Sequence, residues 1–265
     1  MSTSLEGPLV SKAVVGGDRA MRSRAPLGLT DPGYFVFFDD FRQAVVTTEA
    51  GWTAISDTGT TAVVADAPNG VIKMSSGSAT ENEGCSIQST EELFDISSGN
   101  EIWFETRILL TDADQTDVFA GFTTNFATNP EAVLTASDRI GFTIVDESAT
   151  IICNTERSDA ITSKACTGST VDGLLRNIPA TVAVDAVVAG TDPDDVGWLK
   201  LGIHVYDTND SGGGTAEFYV NDVLVCVNVT NIPDDEYLAV ALMNLNGEAT
   251  DNAMYVDYIW AAGTR

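Results

Sequence analysis

Short runs of alternating apolar and polar residues recur along the chain from residue 34 onward, with Gly, Asn, Asp and Ser between them. The first strong run is "YFVFFDDF" at 34–41, followed by "GWTAIS" at 51–56, "TAVVAD" at 61–66, "GVIKMSS" at 70–76 and "GCSIQS" at 84–89. "EIWFETRILL" at 101–110 is long and largely alternating, and "DVFAGFTT" (117–124), "RIGFTIVD" (139–146) and "ATIICN" (149–154) continue the pattern. After a polar stretch come "ATVAVDAVV" (180–188), "WLKLGIHVYD" (198–207), "TAEFYVN" (215–221), "VLVCVNV" (223–229), "YLAVALMNL" (237–245) and "AMYVDYIWA" (253–261). A period of two puts alternate side chains on opposite faces, so each run predicts a half-buried β-strand. No window of a dozen residues carries a convincing helical period.

About fifteen strands with no helices between them predict antiparallel sheets, each with one face to bury. The expected fold is therefore all-β: an antiparallel β-sandwich over residues 34–265, forming one domain, preceded by an extended N-terminal arm over residues 1–33. "PNG" at 68–70 predicts a tight hairpin. Residues 156–179 interrupt the strand pattern longest and read as an extended loop.

Charge changes the picture. The chain carries 39 acids against 13 bases, a net charge of −26. Such a surface repels nucleic acid and anionic membrane, so neither is an expected partner. No apolar run approaches the ~20 residues that span a bilayer. The N-terminal stretch lacks the apolar segment of a secretory signal, so synthesis without export is expected. The arm runs against the acidic trend: within the first thirty residues Lys12, Arg19, Arg22 and Arg24 face only Glu6 and Asp18. It has too few apolar positions for a core of its own, and ordering it costs about 1–2 kcal/mol per residue. A partner surface is expected to hold it, with folding back over the chain's own acidic sandwich as the alternative. Lys12, Arg19, Arg22 and Arg24 suit carboxylates on that surface, and Val14 and Val15 suit shallow apolar pockets.

The four cysteines, Cys85, Cys153, Cys166 and Cys226, include no CxxC pair, so a zinc site has no support. They read as buried thiols, with a Cys153–Cys166 bridge as the alternative.

The C-terminal third, "GTAEFYVNDVLVCVNVTNIPDDEYLAVALMNLNGEATDNAMYVDYIWA", resembles the closing segment of concanavalin A-like jelly-roll sandwiches of the laminarinase and lectin type. In that family a hairpin of the form "xFYVNGxLV" precedes "xxIP", a long strand and a final "YVDYI" strand. Here Asn221-Asp222 stands at the hairpin turn in place of Asn-Gly, and both residues tolerate positive φ. "DDF" at 39–41, Trp52 and "IWFETRI" at 102–108 resemble the opening of the same fold.

Hydrolases of this fold carry E-x-D-x-E on one strand. "EIWFE" has Glu101 and Glu105 at the ends but Trp103 in the middle. On a regular strand Glu101, Trp103, Glu105 and Arg107 share a face, with Glu101 and Glu105 about 13 Å apart at the backbone. A retaining pair wants carboxyls ~5–5.5 Å apart, so a bulge would be needed. Arg107 is placed to neutralise Glu105. His204, the only histidine, alternates with apolar neighbours and reads as a packed cross-strand residue; no GxSxG elbow accompanies it. "DTNDSGGG" at 207–214 begins like a calcium loop, but Phe218 stands where the closing glutamate belongs, so a hairpin is expected. "TDADQTD" (111–117) and "TDPDDVG" (191–197) read as solvated acidic turns, with a structural calcium as the alternative. The sequon at Asn228 falls on a predicted strand and is discounted.

No catalytic, metal-binding or cofactor-binding residue is assigned, and the chain is expected not to be an enzyme. An acidic jelly roll behind a short docking arm resembles the exterior cement or decoration proteins of tailed, marine bacteriophage capsids. That resemblance implies a virion protein with the major capsid protein and copies of itself as partners, arranged as a homotrimer. A carbohydrate-binding module or adhesin of the same fold, engaging a surface glycan, is the alternative. A polysaccharide hydrolase or lyase is the third class.

Overall fold

A computed structural model describes residues 33–41, 51–57, 63–65, 70–75, 77, 79–97, 99–126, 129–145, 148–166, 197–209, 211 and 213–264. Sixteen strands account for most of them: β1 Tyr34–Asp39, β2 Trp52–Ser56, β3 Val63–Ala65, β4 Val71–Ser75, β5 Gly84–Ser89, β6 Phe94–Asp95, β7 Ile102–Leu110, β8 Thr116–Thr123, β9 Arg139–Val145, β10 Ser148–Arg157, β11 Ala160–Ala165, β12 Leu199–Asn209, β13 Gly213–Val220, β14 Val223–Asn228, β15 Tyr237–Asn246 and β16 Ala253–Thr264. The helical element among the described residues is one 3-10 turn, Pro130–Thr135.

The strands form two sheets. The first runs β14-β13-β12-β7-β16-β4-β3, with β1 also on β16; the second runs β11-β10-β9-β8-β15-β5-β2, with β6 on β15. Every pairing is antiparallel. The expected sandwich is thus the fold. Between the sheets lies one continuous core that includes Phe94, Phe104, Phe122, Phe142 and Phe218. Phe122 touches both Phe94 and Phe104, at centroid distances of 4.8 and 5.7 Å, and Phe142 meets Phe218 edge-on at 5.2 Å. Burying side chains of this size contributes about 1.5–3 kcal/mol each.

The strand pattern survives well, with one correction. Residues 156–179 are not a single loop. β10 runs on to Arg157, turns through Ser158 and Asp159, both at positive φ, and returns as β11. β11 is an exposed, polar edge strand, so it carries no apolar alternation to read. The run at 180–188 and the arm residues Lys12, Val14, Val15, Arg19, Arg22 and Arg24 lie outside the described residues. The Asn221-Asp222 turn forms as expected, with φ of 48° and 68°.

The opening motif folds into a local lock. Asp39 accepts from the Phe41 amide at 2.7 Å and from the Trp52 indole at 2.8 Å. The Trp52 ring sits against Phe37 and Phe41. Gly70 completes the lock: its φ is +79°, and a Cβ there would stand 2.2 Å from the Asp40 carbonyl. Asp39→Ala removes both acceptors and leaves the fully buried Trp52 donor unmet. Urea denaturation is expected to show a loss of about 2–4 kcal/mol, from the lost bonds plus an unsatisfied buried group. A variant within about 0.5 kcal/mol of the parent would refute this account.

Candidate functional site

The first sheet has a second polar and aromatic face, turned away from the core. On β7, Ile102, Phe104, Ile108 and Leu110 point into the core, which leaves Trp103, Glu105, Arg107 and Leu109 outward. Register then decides their neighbours. Trp103 lies between Ala262 of β16 and His204 of β12, and His204 pairs onward with Glu217 of β13. One rung along, Glu105 lies between Trp260 and Gly202, and Gly202 pairs with Tyr219. Gly202 carries no side chain, and Glu105, Lys200, Tyr219 and Asp222 gather around it.

Hydrogen bonds tie these rungs together. His204 Nε2 stands 3.1 Å from Glu101 Oε2, and its Nδ1 stands 3.8 Å from Glu217 Oε2. The imidazole is sandwiched: it stacks on Trp103 at 5.1 Å and 8°, and on Tyr206 at 4.7 Å. Tyr206 and Tyr219 donate their hydroxyls to Glu217 at 3.0 and 2.5 Å. Tyr258 donates to Glu105 at 2.6 Å. Among the described residues, the buried indole N–H of Trp103 has no hydrogen-bond partner. One imidazole thus sits between two carboxylates on an aromatic floor, a set able to hold and pass a proton.

The single histidine is the packed cross-strand residue the sequence predicts, and it is also the centre of this cluster. Its link to Glu217 could not be read from spacing, because the two meet only through the β12–β13 register. The Arg107 guanidinium lies 3.2 Å from Asp257 and 4.7 Å over the Trp198 ring. β7 does not bulge between Glu101 and Glu105, since its register with β12 runs unbroken from Ile102 to Ile108.

Other candidates fall away. At the "DTNDSGGG" stretch β12 pairs with β13, with Asn209 opposite Gly213. Asn228 of the sequon is fully buried and donates to the Cys153 carbonyl at 3.2 Å. All four cysteines are free and buried; the Cys153 and Cys166 sulfurs lie 2.8 Å apart, and a hydrogen bond from Cys153 pulls the Cys226 thiol down to about 7. Among the described residues no three His, Cys, Asp or Glu side chains converge as metal ligands.

No protein-family model matches the chain, and no curated protein matches its sequence. Solved structures match in fold. An endo-1,3-β-glucanase from Streptomyces sioyaensis has a TM-score of 0.55 at 15% identity, over 88% of this chain and 98% of its own. A laminarinase from Flavobacterium sp. UMI-01 gives 0.52 at 11%, over 85% and 98%. A protein of unknown function from Shewanella oneidensis gives 0.52 at 13%, over 95% and 96%. At these identities the likeness establishes the shared concanavalin A-like sandwich. It also overturns the expectation that the chain is not an enzyme. A glucanase and a laminarinase use this sandwich, and the absent middle acid of E-x-D-x-E removes one arrangement of carboxylates, not catalysis.

The acidic turn at 111–117 yields a prediction of its own. Burial, then a hydrogen bond shared with Asp114, pushes the Asp112 carboxyl up to about 6. The folded chain therefore keeps this proton to higher pH than the unfolded chain, whose aspartates release theirs near 4. The contribution is fully present below pH ~4 and is lost as pH rises through ~6. Asp112→Asn is expected to raise Tm at pH 7 and leave it nearly unchanged at pH 4. An equal shift at both pH values would refute the shared proton.

Proposed function

We propose that the protein binds and hydrolyses a polysaccharide on the outer face of the first sheet. A β-1,3-glucan is the first candidate, because a glucanase and a laminarinase share the fold. The observation that carries this reading is Glu101–His204–Glu217 laid on Trp103. Pyranose rings stack on flat aromatic faces, and carboxylates and phenols satisfy their hydroxyls. Glu101 is the acid that reaches solvent, its side chain 44% exposed, and it takes the role of proton donor to the glycosidic oxygen. His204 returns that proton, and the Glu217 carboxylate holds the imidazole in place. Water adds across the broken bond, its hydroxyl to the anomeric carbon and its proton to His204, replacing the one passed to Glu101.

The test is affinity electrophoresis and reducing-end release with laminarin. The parent chain is expected to be retarded and to release reducing ends, and Glu101→Gln to lose about 10²–10⁴-fold in rate while still binding. A parent chain that neither binds nor cleaves laminarin, alginate or a mixed-link glucan, at low salt and at 1 M NaCl, overturns the reading.

A second reading, the capsid cement role, is supported by a different feature. β14 is the edge strand of the first sheet, and Val223, Leu224 and the neighbouring Val229 are exposed along it. Apolar edge strands invite pairing with another chain. The role proposed is attachment to a major capsid protein as a homotrimer. Sedimentation is expected to show a trimer that Val223→Lys with Leu224→Lys converts to monomer; a parent chain that stays monomeric at high concentration counts against it.

A further inference from the structure

Three of the four cysteines meet where one edge of the first sheet closes against one edge of the second. β14 ends the first sheet and β11 ends the second. Cys226 lies on β14, Cys153 lies on β10 beside β11, and Cys166 directly follows β11. In the β10–β11 register Cys153 stands opposite Lys164, and the Cys166 amide donates to the Ile151 carbonyl at 2.8 Å. Cys166 is therefore the diagonal neighbour of Cys153, and all three side chains belong to the inter-sheet core. Cys153 is the middle member: its sulfur lies 2.8 Å from that of Cys166, and its thiol donates to Cys226. Polar bonds between the sheets frame the trio. Asn228 donates to the Cys153 carbonyl at 3.2 Å and to the Thr162 carbonyl at 3.4 Å, Thr155 donates to the Thr230 carbonyl at 2.9 Å, and the Lys164 ammonium donates to the Val227 carbonyl.

We propose that Cys226, Cys153 and Cys166 form a two-electron redox site for a small hydroperoxide, in which Cys226 attacks the peroxide and Cys153 captures the product as a disulfide between the two sheets. Access selects Cys226 as the point of entry. It is 8% exposed, against 0% for Cys153 and 1% for Cys166. An opening of that size suits a small oxidant and turns away a bulky disulfide. Charge selects the same residue. The hydrogen bond from Cys153, and then the Lys164 ammonium, draw its thiol down to about 7 against the opposing effect of burial, so thiolate is abundant at neutral pH. Burial pushes the Cys153 thiol up, which keeps its proton in place as the donor to Cys226. Cys85 is the built-in control: it stands on β5, four strands from β10 in the second sheet, and burial pushes its thiol up to about 12.

The Cys226 thiolate attacks one peroxide oxygen, the O–O bond breaks and hydroxide leaves, which makes Cys226 a sulfenic acid. The Cys153 sulfur attacks the Cys226 sulfur, the S–O bond breaks, and the departing hydroxide takes the Cys153 proton and leaves as water. Two sulfurs are oxidised to a disulfide, and the peroxide is reduced to hydroxide and water. Cys166 then attacks Cys153 and its proton passes to Cys226, so the bond moves to Cys153–Cys166 and Cys226 is a free thiol again. The first bond joins the two sheets and the second lies within one of them. None of this depends on the glycan reading.

The experiment treats the reduced full chain with hydrogen peroxide, alkylates the remaining thiols and maps unreduced peptides by mass spectrometry. The parent is expected to lose two of its four thiols, with the bond at Cys153–Cys226 or Cys153–Cys166 and Cys85 left alkylated. Cys166→Ser blocks the exchange, so the Cys153–Cys226 bond is expected to accumulate and to raise Tm by about 5–10 °C, reversibly with dithiothreitol. Cys226→Ser is expected to slow thiol loss at least about tenfold. A Cys226→Ser chain without a cooperative melt is replaced by Cys226→Ala and by dimedone trapping on the parent, which is expected to label Cys226. Equal rates of thiol loss in the parent and the Cys226 variant overturn the proposal. So does dimedone on Cys85 or Cys153 in place of Cys226, a disulfide that uses Cys85 or joins two chains, or a parent that keeps all four thiols in excess peroxide.

Discussion

The β7–β12 register is the constraint on which the rest of the molecule depends. It sets Trp103 against His204 and Glu105 against Gly202. A slip of one residue would turn Phe104 and Ile108 outward and drive Glu105 into the core. That error is forbidden from the inside: the apolar set of β7 meets Phe122 and the rest of the inter-sheet core, where each misplaced ring forfeits a few kcal/mol. The hydrophobic core thus fixes the polar site on the other side of the same strand, without touching it.

Holding carboxylates on a buried face is costly unless each oxygen finds a donor. The chain meets this with neutral donors from neighbouring rungs. Tyr206 and Tyr219 serve Glu217, and Tyr258 serves Glu105. Phenols are suited to the task, since their rings extend the aromatic floor while their hydroxyls reach the acids. The second sheet handles a buried charge differently, by direct pairing. Arg139 meets Glu156 at 2.7 Å and also donates to the Val133 carbonyl at 2.9 Å, which anchors the 3-10 turn. Burial lowers the arginine and raises the glutamate, and each partner opposes that shift in the other.

The fold was legible in the sequence because period-two alternation is a direct image of two-sided burial. β7, β12, β15 and β16 could be placed from that pattern alone. β11 escaped because an exposed edge strand has no apolar side to reveal it, and β6, with only Phe94 and Asp95, is too short to show a period. The site was half legible. Spacing along one strand put Glu101, Trp103, Glu105 and Arg107 on one face. It could not bring in Glu217 or Tyr258, because those positions arrive through cross-strand register. The pair Asp39–Trp52 shows the same limit, a lock between residues that a motif suggested but only folding joins.

Charge ties the outer face to the rest of the chain. A protein with 39 acids and 13 bases has few cations to spend on neutralising a buried acidic floor. The cations near the face are committed locally, Arg107 to Asp257 and Lys200 to Asp222. The basic residues of the arm form the densest cationic stretch in the sequence, and they precede the strand that borders this floor.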